Sequence, residues 1–218
     1  MLVKIEAETK VPNGNQFDGI PPLDYIVTKM GKICTGKEDR VIDLDMARRF
    51  MKTNVIGKGH DGLLEHYSWT FLIEDISRAC ANQLVRHRIA SYAQLSMRYT
   101  QAFEYDHSIV TPPSIQNNPN ALQLFQKAVD HSKSYYQSLI TLGIKPEDAR
   151  FIAPLGHKTN IAMTVNARSL LHIFQLRLAK EAQWEIKEIV WAILGLVYYT
   201  SPTLWWQFAE GELYGQQK

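Results

Sequence analysis

Hydrophobic and polar positions change period several times along the chain, and each change marks an element. Ile42, Met46 and Phe50, with Ala47 and Met51 beside them, recur at helical spacing and predict an amphipathic helix that ends before Gly57 and Gly59. From His66 to Ile73 the pattern alternates, with Tyr67, Trp69, Phe71 and Ile73 on one face and His66, Ser68 and Thr70 on the other, which predicts a half-buried strand. After Glu74-Asp75, a helix is expected from about Ile76, with Ile76, Cys80 and Leu84 toward the core and Gln83, Arg86 and His87 sharing a neighbouring face.

The rest reads in the same way. Pro12 to Pro22 is loop-like, with Asn13-Gly14 and Pro21-Pro22 as turn signals, and Tyr105 to Asn120 reads as a mobile loop. A helix follows from about Leu122 to Leu142, stopped by Gly143, and Pro146 opens another that carries Arg150. Lys158 to Val165 reads as a second strand, Ala167 to Leu178 as a helix, and Gln183 to Tyr199 as a long, mostly buried helix. Trp191, Leu194, Val197 and Tyr198 and the Trp205-Trp206 pair read as core or subunit contact, and no internal repeat is present.

Composition narrows the class without naming it. With 218 residues and 45% hydrophobic content the chain can bury one substantial core, and no Gly/Ser or charged linker divides it, so a single domain over residues 1–218 is expected. A net charge of +2 and a sequence pI near 8.4 are too mild for a dedicated nucleic-acid binder. Cys34 and Cys80 suit a reducing compartment and read as small core residues. The Met1 end lacks a signal-like segment, and the longest apolar stretch, Ile189 to Tyr199, falls short of the ~20 residues needed to span a bilayer. A soluble cytoplasmic protein is expected.

The chemistry concentrates in Arg86-His87-Arg88-Ile89-Ala90-Ser91-Tyr92-Ala93-Gln94-Leu95-Ser96-Met97-Arg98-Tyr99. Three guanidiniums, an imidazole, four hydroxyls and an amide in one short stretch point to an anionic, hydrogen-bonding ligand, and we read it as a nucleotide site. A solvated basic helix end is the plainer explanation of the RHR triplet alone.

The triplet, seven intervening residues and a serine resemble the signature of the flavin-dependent thymidylate synthases. Upstream, Gly59-His60-Asp61-Gly62-Leu63-Leu64-Glu65-His66 is similar to the family's GH…EH segment, and Gln83 lies three residues before the triplet. Downstream, Ala149-Arg150-Phe151-Ile152-Ala153-Pro154 resembles its ARxxLP element, and Thr164-Val165-Asn166-Ala167-Arg168-Ser169-Leu170 through Leu176-Arg177 resembles its VNARSL…LR helix. The resemblance implies an α/β (α+β) fold with a central, mostly antiparallel sheet flanked by helices. It further implies a homotetramer with FAD at subunit interfaces, and reductive methylation of dUMP to dTMP with FAD, NADPH and 5,10-methylenetetrahydrofolate.

Position by position, the resemblance makes Gln83, Arg86, Gln94, Leu95, Ser96, Met97, Arg98, Arg150 and Arg177 the dUMP ligands. Arg98 and Arg150 suit the phosphate, because guanidinium forks match phosphate oxygens bidentately. Backbone amides near Leu95, Ser96 and Met97 can complete that contact. Arg177 follows Leu170, Ile173 and Phe174 on one stripe, which puts a charge in a semi-buried position that demands a partner. By its residues alone that partner is a carboxylate such as Glu181 or Glu185; by resemblance Arg177 is the catalytic arginine that promotes ionisation of the uracil ring. The FAD ligands implied are His60, Gly62, Arg86, His87, Arg88, Gln94, Asn166, Arg168 and His172.

Some readings are set aside here. Ser96 has no local His-carboxylate pair to make it a nucleophile. His60, Glu65 and His66 are spaced H-x4-E-H, which matches neither HExxH nor HxxEH, so no metal is expected. No GxGxxG loop is present, against a Rossmann mode of FAD binding. A noncatalytic nucleotide- or RNA-binding module is the rival class, disfavoured because the aromatics follow strand and core patterns and do not alternate with basic residues on a stacking platform. Departures from the family pattern are Gln94 where Glu is frequent, Ala93 where Asn is frequent, His172 where an Asn contacts flavin in some members, Gly62 where a hydroxyl residue is common, and Ala153 in place of Leu.

Overall fold

The computed structural model describes residues 1–11, 19–37, 39–100, 102–103 and 108–215, with side chains through Glu210. The turn expected at Asn13-Gly14 and the segment 105–107 of the expected loop lie outside the described residues. The fold is α+β, with a four-stranded antiparallel sheet in the order β1-β2-β4-β3. These strands are β1 (Leu2–Glu8), β2 (Ser68–Ser77), β3 (Ser91–Gln94) and β4 (Lys158–Asn166).

Residues pack into two compact units. One comprises 1–2, 73–86 and 93–162; the other comprises 3–72, 87–92 and 163–218. The division falls inside the RHR triplet, between Arg86 and His87.

In the second unit, Pro22 opens α1 (Pro22–Ile33), and Asp43 accepts the Met46 amide at 2.7 Å to cap α2 (Leu44–Phe50). A π-helical turn, Met51–Ile56, continues α2 toward Gly57, and a 3₁₀ turn spans Asp61–His66. Tyr67, Trp69 and Phe71 are buried as the alternation requires, and Trp69 meets Trp205 with ring centroids 6.4 Å apart. Asn166 ends β4 and its Oδ1 accepts the Ser169 amide at 2.8 Å, so the strand passes without a linker into α7 (Ala167–Arg177). Gln183 caps α8 (Trp184–Val197), and α9 (Pro202–Gly215) follows. Phe174 packs edge-on against Trp205 at 5.3 Å, which fixes the roll of α7 about its axis.

The first unit contains the end of β2 and α3 (Arg78–Leu84), capped by Ser77, whose Oγ accepts the Cys80 amide at 3.0 Å. It also holds α4 (Pro113–Gln116), α5 (Pro119–Thr141) and α6 (Pro146–Ala149), the last followed by a 3₁₀ turn, Arg150–Ile152. Met97, Ala102, Phe103, Tyr136 and Ala149 form a small buried cluster. Helix α5 ends at Thr141, and Gly143, just past its C-cap Leu142, takes a φ of 85° that suits glycine.

Several sequence expectations are corrected. The strand expected over His66–Ile73 runs from Ser68 to Ser77, so Ile76 belongs to the strand and the helix begins at Arg78. Asp75 enters the left-handed region (φ 59°) inside β2 and the buried face slips by one residue, as at a bulge, so Glu74-Asp75 bends the strand without ending it. Helix α3 stops at Leu84, so Arg86 and His87 lie beyond it and share no helical face with Gln83. The segment expected as a loop up to Asn120 contains α4, a bridge between Ile109 and His157, and the start of α5. Arg150 sits in the 3₁₀ turn after α6. Cys80 is buried as expected, whereas Cys34, at the C-cap of α1, is exposed.

Candidate functional site

In the first unit the candidate residues hang on two short turns held by the buried cluster. Met97 and Ala149 both belong to that cluster, and each is followed directly by a candidate arginine, Arg98 and Arg150. The turn after β3 is shaped by its own bonds. Ser96 Oγ accepts the Arg98 amide at 3.2 Å, and the Ser96 carbonyl accepts from the Tyr99 and Thr100 amides. Beyond it, the Phe103 amide donates to His157 Nε2 at 3.1 Å, and burial keeps that imidazole's pKa below its ordinary value.

Glu147 links the two arginines. Its carboxylate accepts from Arg98 Nε at 3.0 Å, and its backbone carbonyl accepts from Arg150 Nε at 2.9 Å. Both bonds use Nε and engage neither terminal nitrogen. The remaining N–H groups of each fork sit on those terminal nitrogens, the end that matches phosphate oxygens.

A third guanidinium joins this set, one that sequence reasoning missed. Arg78, the first residue of α3, donates from Nη2 to the Leu95 carbonyl at 3.0 Å, while its Nε is buried with no hydrogen-bond partner. Burial, and then the charge of Arg150, lower its pKa. A half-buried guanidinium whose Nε is shut off from water, next to another cation, is costly without an anion, so the ligand expected here is anionic. The sequence signal was the cation placed immediately after the Ser77 cap, where the positive pole of a helix favours the opposite charge.

The other members of this set have local roles as well. Gln94 Nε2 donates to Thr159 Oγ1 at 3.3 Å, which ties it to β4. The Leu95 amide donates to the Asn160 carbonyl at 2.9 Å, so it serves the sheet, and the amides suited to a ligand are those of Ser96 and Met97. Gln83 is half-buried on α3, and Arg86, just past its end, is exposed.

In the second unit, α7 carries most of the chemistry. Arg177, its last residue, is half-buried, and its Nε donates to His87 Nε2 at 2.9 Å. The His87 ring lies edge-on to His172, with centroids 6.4 Å apart. Burial, reinforced by Arg177 and His172, lowers the His87 pKa to about 4, so the imidazole is neutral at physiological pH and Nε2 is the bare nitrogen. At the start of α7, Arg168 forms a close ion pair with Glu65 of the 3₁₀ turn. That pairing ties the 3₁₀ turn to the start of α7. His60, Gly62, Arg88, Arg168 and His172 are exposed, and a Cβ built at Gly62 would meet nothing within 4 Å.

The fold is α+β, and in its first unit Arg78, Arg98 and Arg150 gather about Leu95 and Glu147. The family model described as thymidylate synthase complementing protein matches residues 20–203, and the chain belongs to that family. The relatives are enzymes. One, flavin-dependent thymidylate synthase of Pyrococcus furiosus, is 40% identical over 171 residues, covering 78% of this chain and 69% of that protein. The enzyme of the same name from Geobacter sulfurreducens is 42% identical over 161 residues, covering 74% and 69%. That from Thermococcus onnurineus is 43% identical over 143 residues, covering 65% of this chain and 58% of the relative, less than two thirds of its length.

The donor set of the second unit fits a flavin dinucleotide. Exposed guanidiniums of Arg88 and Arg168 suit a diphosphate, and the bare Gly62 backbone allows close approach. The Asn166 carbonyl oxygen is committed to capping α7, so the donor it offers a ligand is its amide nitrogen.

Proposed function

We propose that this chain is a flavin-dependent thymidylate synthase that methylates dUMP reductively to dTMP, with FAD, NADPH and 5,10-methylenetetrahydrofolate. The observation that carries the reading is the gathering of Arg78 with Arg98 and Arg150 about Leu95, Ser96 and Glu147, where Arg98 and Arg150 stand at positions that the family resemblance gives to the nucleotide. In this reading Arg98 and Arg150 hold the dUMP phosphate, the Ser96 and Met97 amides complete the contact, and Gln83, Arg86 and Gln94 orient the nucleoside. The half-buried Arg78 adds positive field to the phosphate position. Arg177 is the catalytic residue: its guanidinium stabilises negative charge developing on the uracil ring about N3 and its adjacent carbonyl, which raises electron density at C5.

Flavin, when bound, supplies the hydride chemistry. His60, Gly62, Arg86, His87, Arg88, Gln94, Asn166, Arg168 and His172 would hold it. We assign the protein a homotetrameric, cytoplasmic form; among the described residues no helix is long and apolar enough to cross a membrane.

The test is direct. Purified protein, loaded with FAD where needed, is mixed with dUMP, and the visible spectrum and dTMP formation with NADPH and methylenetetrahydrofolate are followed. A flavin spectrum perturbed by dUMP and substrate-dependent dTMP formation are expected. A colourless protein that takes up no added FAD overturns the enzyme reading and leaves a noncatalytic nucleotide-binding module.

A further inference from the structure

His87 and Arg177 make a bond whose direction only one protonation state allows. Arginine Nε carries a hydrogen and has no lone pair to offer, so at 2.9 Å it must donate, and His87 Nε2 must be bare to accept. Neutral imidazole satisfies this with its proton on Nδ1. The groups facing His87 reinforce that state: Arg177 and His172 both oppose a positive charge on it, and burial adds to them. Its backbone is fixed too, because the Tyr92 hydroxyl donates to the His87 carbonyl at 3.0 Å.

The consequence lies in what Nε engagement does to the fork. A guanidinium is planar, and fixing Nε to one acceptor fixes the plane and the direction in which Nη1 and Nη2 point. Arg177 ends α7, and its bond to His87 belongs to one of the rotamers that a long side chain leaving the last turn can take.

We propose that His87 is the positioning residue for Arg177, its bare Nε2 setting the orientation of the guanidinium that acts on the pyrimidine. This deepens the thymidylate synthase reading and rests on it. It gives the middle residue of the triplet a task on the substrate side, in addition to the flavin contact that the family resemblance implies.

The experiment compares FAD-loaded wild type, His87→Leu, which removes the acceptor at similar volume, and His87→Gln, which offers a carbonyl oxygen instead. Nitrogen-15 spectra of labelled arginine and histidine report the bond itself, with Arg177→Lys identifying the Arg177 signal; steady-state kinetics give kcat and KM for dUMP. In the wild type at pH 7, the His87 Nε2 resonance should be that of an unprotonated nitrogen and the Arg177 Nε proton should exchange slowly. His87→Leu should lose that protection and about tenfold or more in kcat, the scale of one good hydrogen bond at a reacting group. His87→Gln should recover both to within about threefold.

A protonated Nε2 in the wild type, which needs no variant, overturns the proposal. So does retention of Arg177 protection in His87→Leu, or equal kcat losses in Leu and Gln variants that melt as the wild type does. Slow Nε exchange with an unprotonated His87, in a wild type that makes no dTMP, supports the positioning contact while removing the thymidylate synthase reading.

Discussion

Replacing Asp24 by Asn should stabilise this protein, and more so as pH rises. Asp24 lies in the first turn of α1, fully buried, and neither carboxylate oxygen has a hydrogen-bond partner. Burial raises its pKa from an ordinary 3.8 to about 6, against opposing pulls from the Ser201 hydroxyl and the Arg48 charge. The N-terminal pole of α1 also favours the carboxylate, but by only about 0.3–1 kcal/mol. Burial wins.

The sign follows from linkage. Below pH 3.8 folded and unfolded chains are both protonated at this site and no penalty exists. Between that pH and about 6 the unfolded chain ionises while the folded chain keeps its proton, so stability falls as pH rises. Above the folded pKa the loss is complete, about 3 kcal/mol at 1.36 kcal/mol for each tenfold change in proton affinity. About 2 kcal/mol of that arises between pH 4.5 and pH 8. Asn is nearly isosteric and does not ionise, so urea unfolding of Asp24→Asn and wild type should give stability curves that separate by this amount over that range. Curves that stay parallel, or a variant that loses ground as pH rises, would refute the reasoning.

Two further outcomes are expected. Arg150→Ala should weaken dUMP binding about ten- to a hundredfold while leaving deoxyuridine binding within about threefold, because a charge-assisted contact to phosphate is worth about 1.5–3 kcal/mol; calorimetry showing equal losses for both ligands would remove phosphate from Arg150. Asn166→Ala should cost about 1 kcal/mol in urea unfolding through loss of the α7 cap and weaken FAD uptake in parallel, and unchanged stability would mean the cap bond to Ser169 contributes nothing.

How far the sequence could be read depended on whether the signal was local. The alternation through Tyr67, Trp69, Phe71 and Ile73, and the β4, α7, α8 succession, were legible because each carries its own periodicity and cap. Strand β1 and the four-residue β3 were not, since strands that short or that exposed take their definition from a partner. The end of β2 was misplaced because a left-handed Asp75 inside a strand looks, in sequence, like a turn. At the site, the motif arginines were legible from the family pattern, but Arg78 was not: its cost comes from burial and from Arg150, 72 residues later in the chain, and neither is written in its neighbours. The His87–Arg177 bond joins residues 90 apart and was equally invisible.

The direct passage of β4 into α7 has a consequence for how this chain can change length. Side chains alternate faces along a strand and step by about 100° around a helix, so one residue inserted or deleted between Met163 and Arg177 either exchanges the buried and exposed faces of the strand or swings every later helical position by more than a quarter turn. With no loop between Asn166 and Ala167 to absorb the error, and with Phe174 locked against Trp205, the mistake cannot dissipate locally. An insertion or deletion in this stretch should therefore cost far more stability than one in a surface connection such as that between α5 and α6.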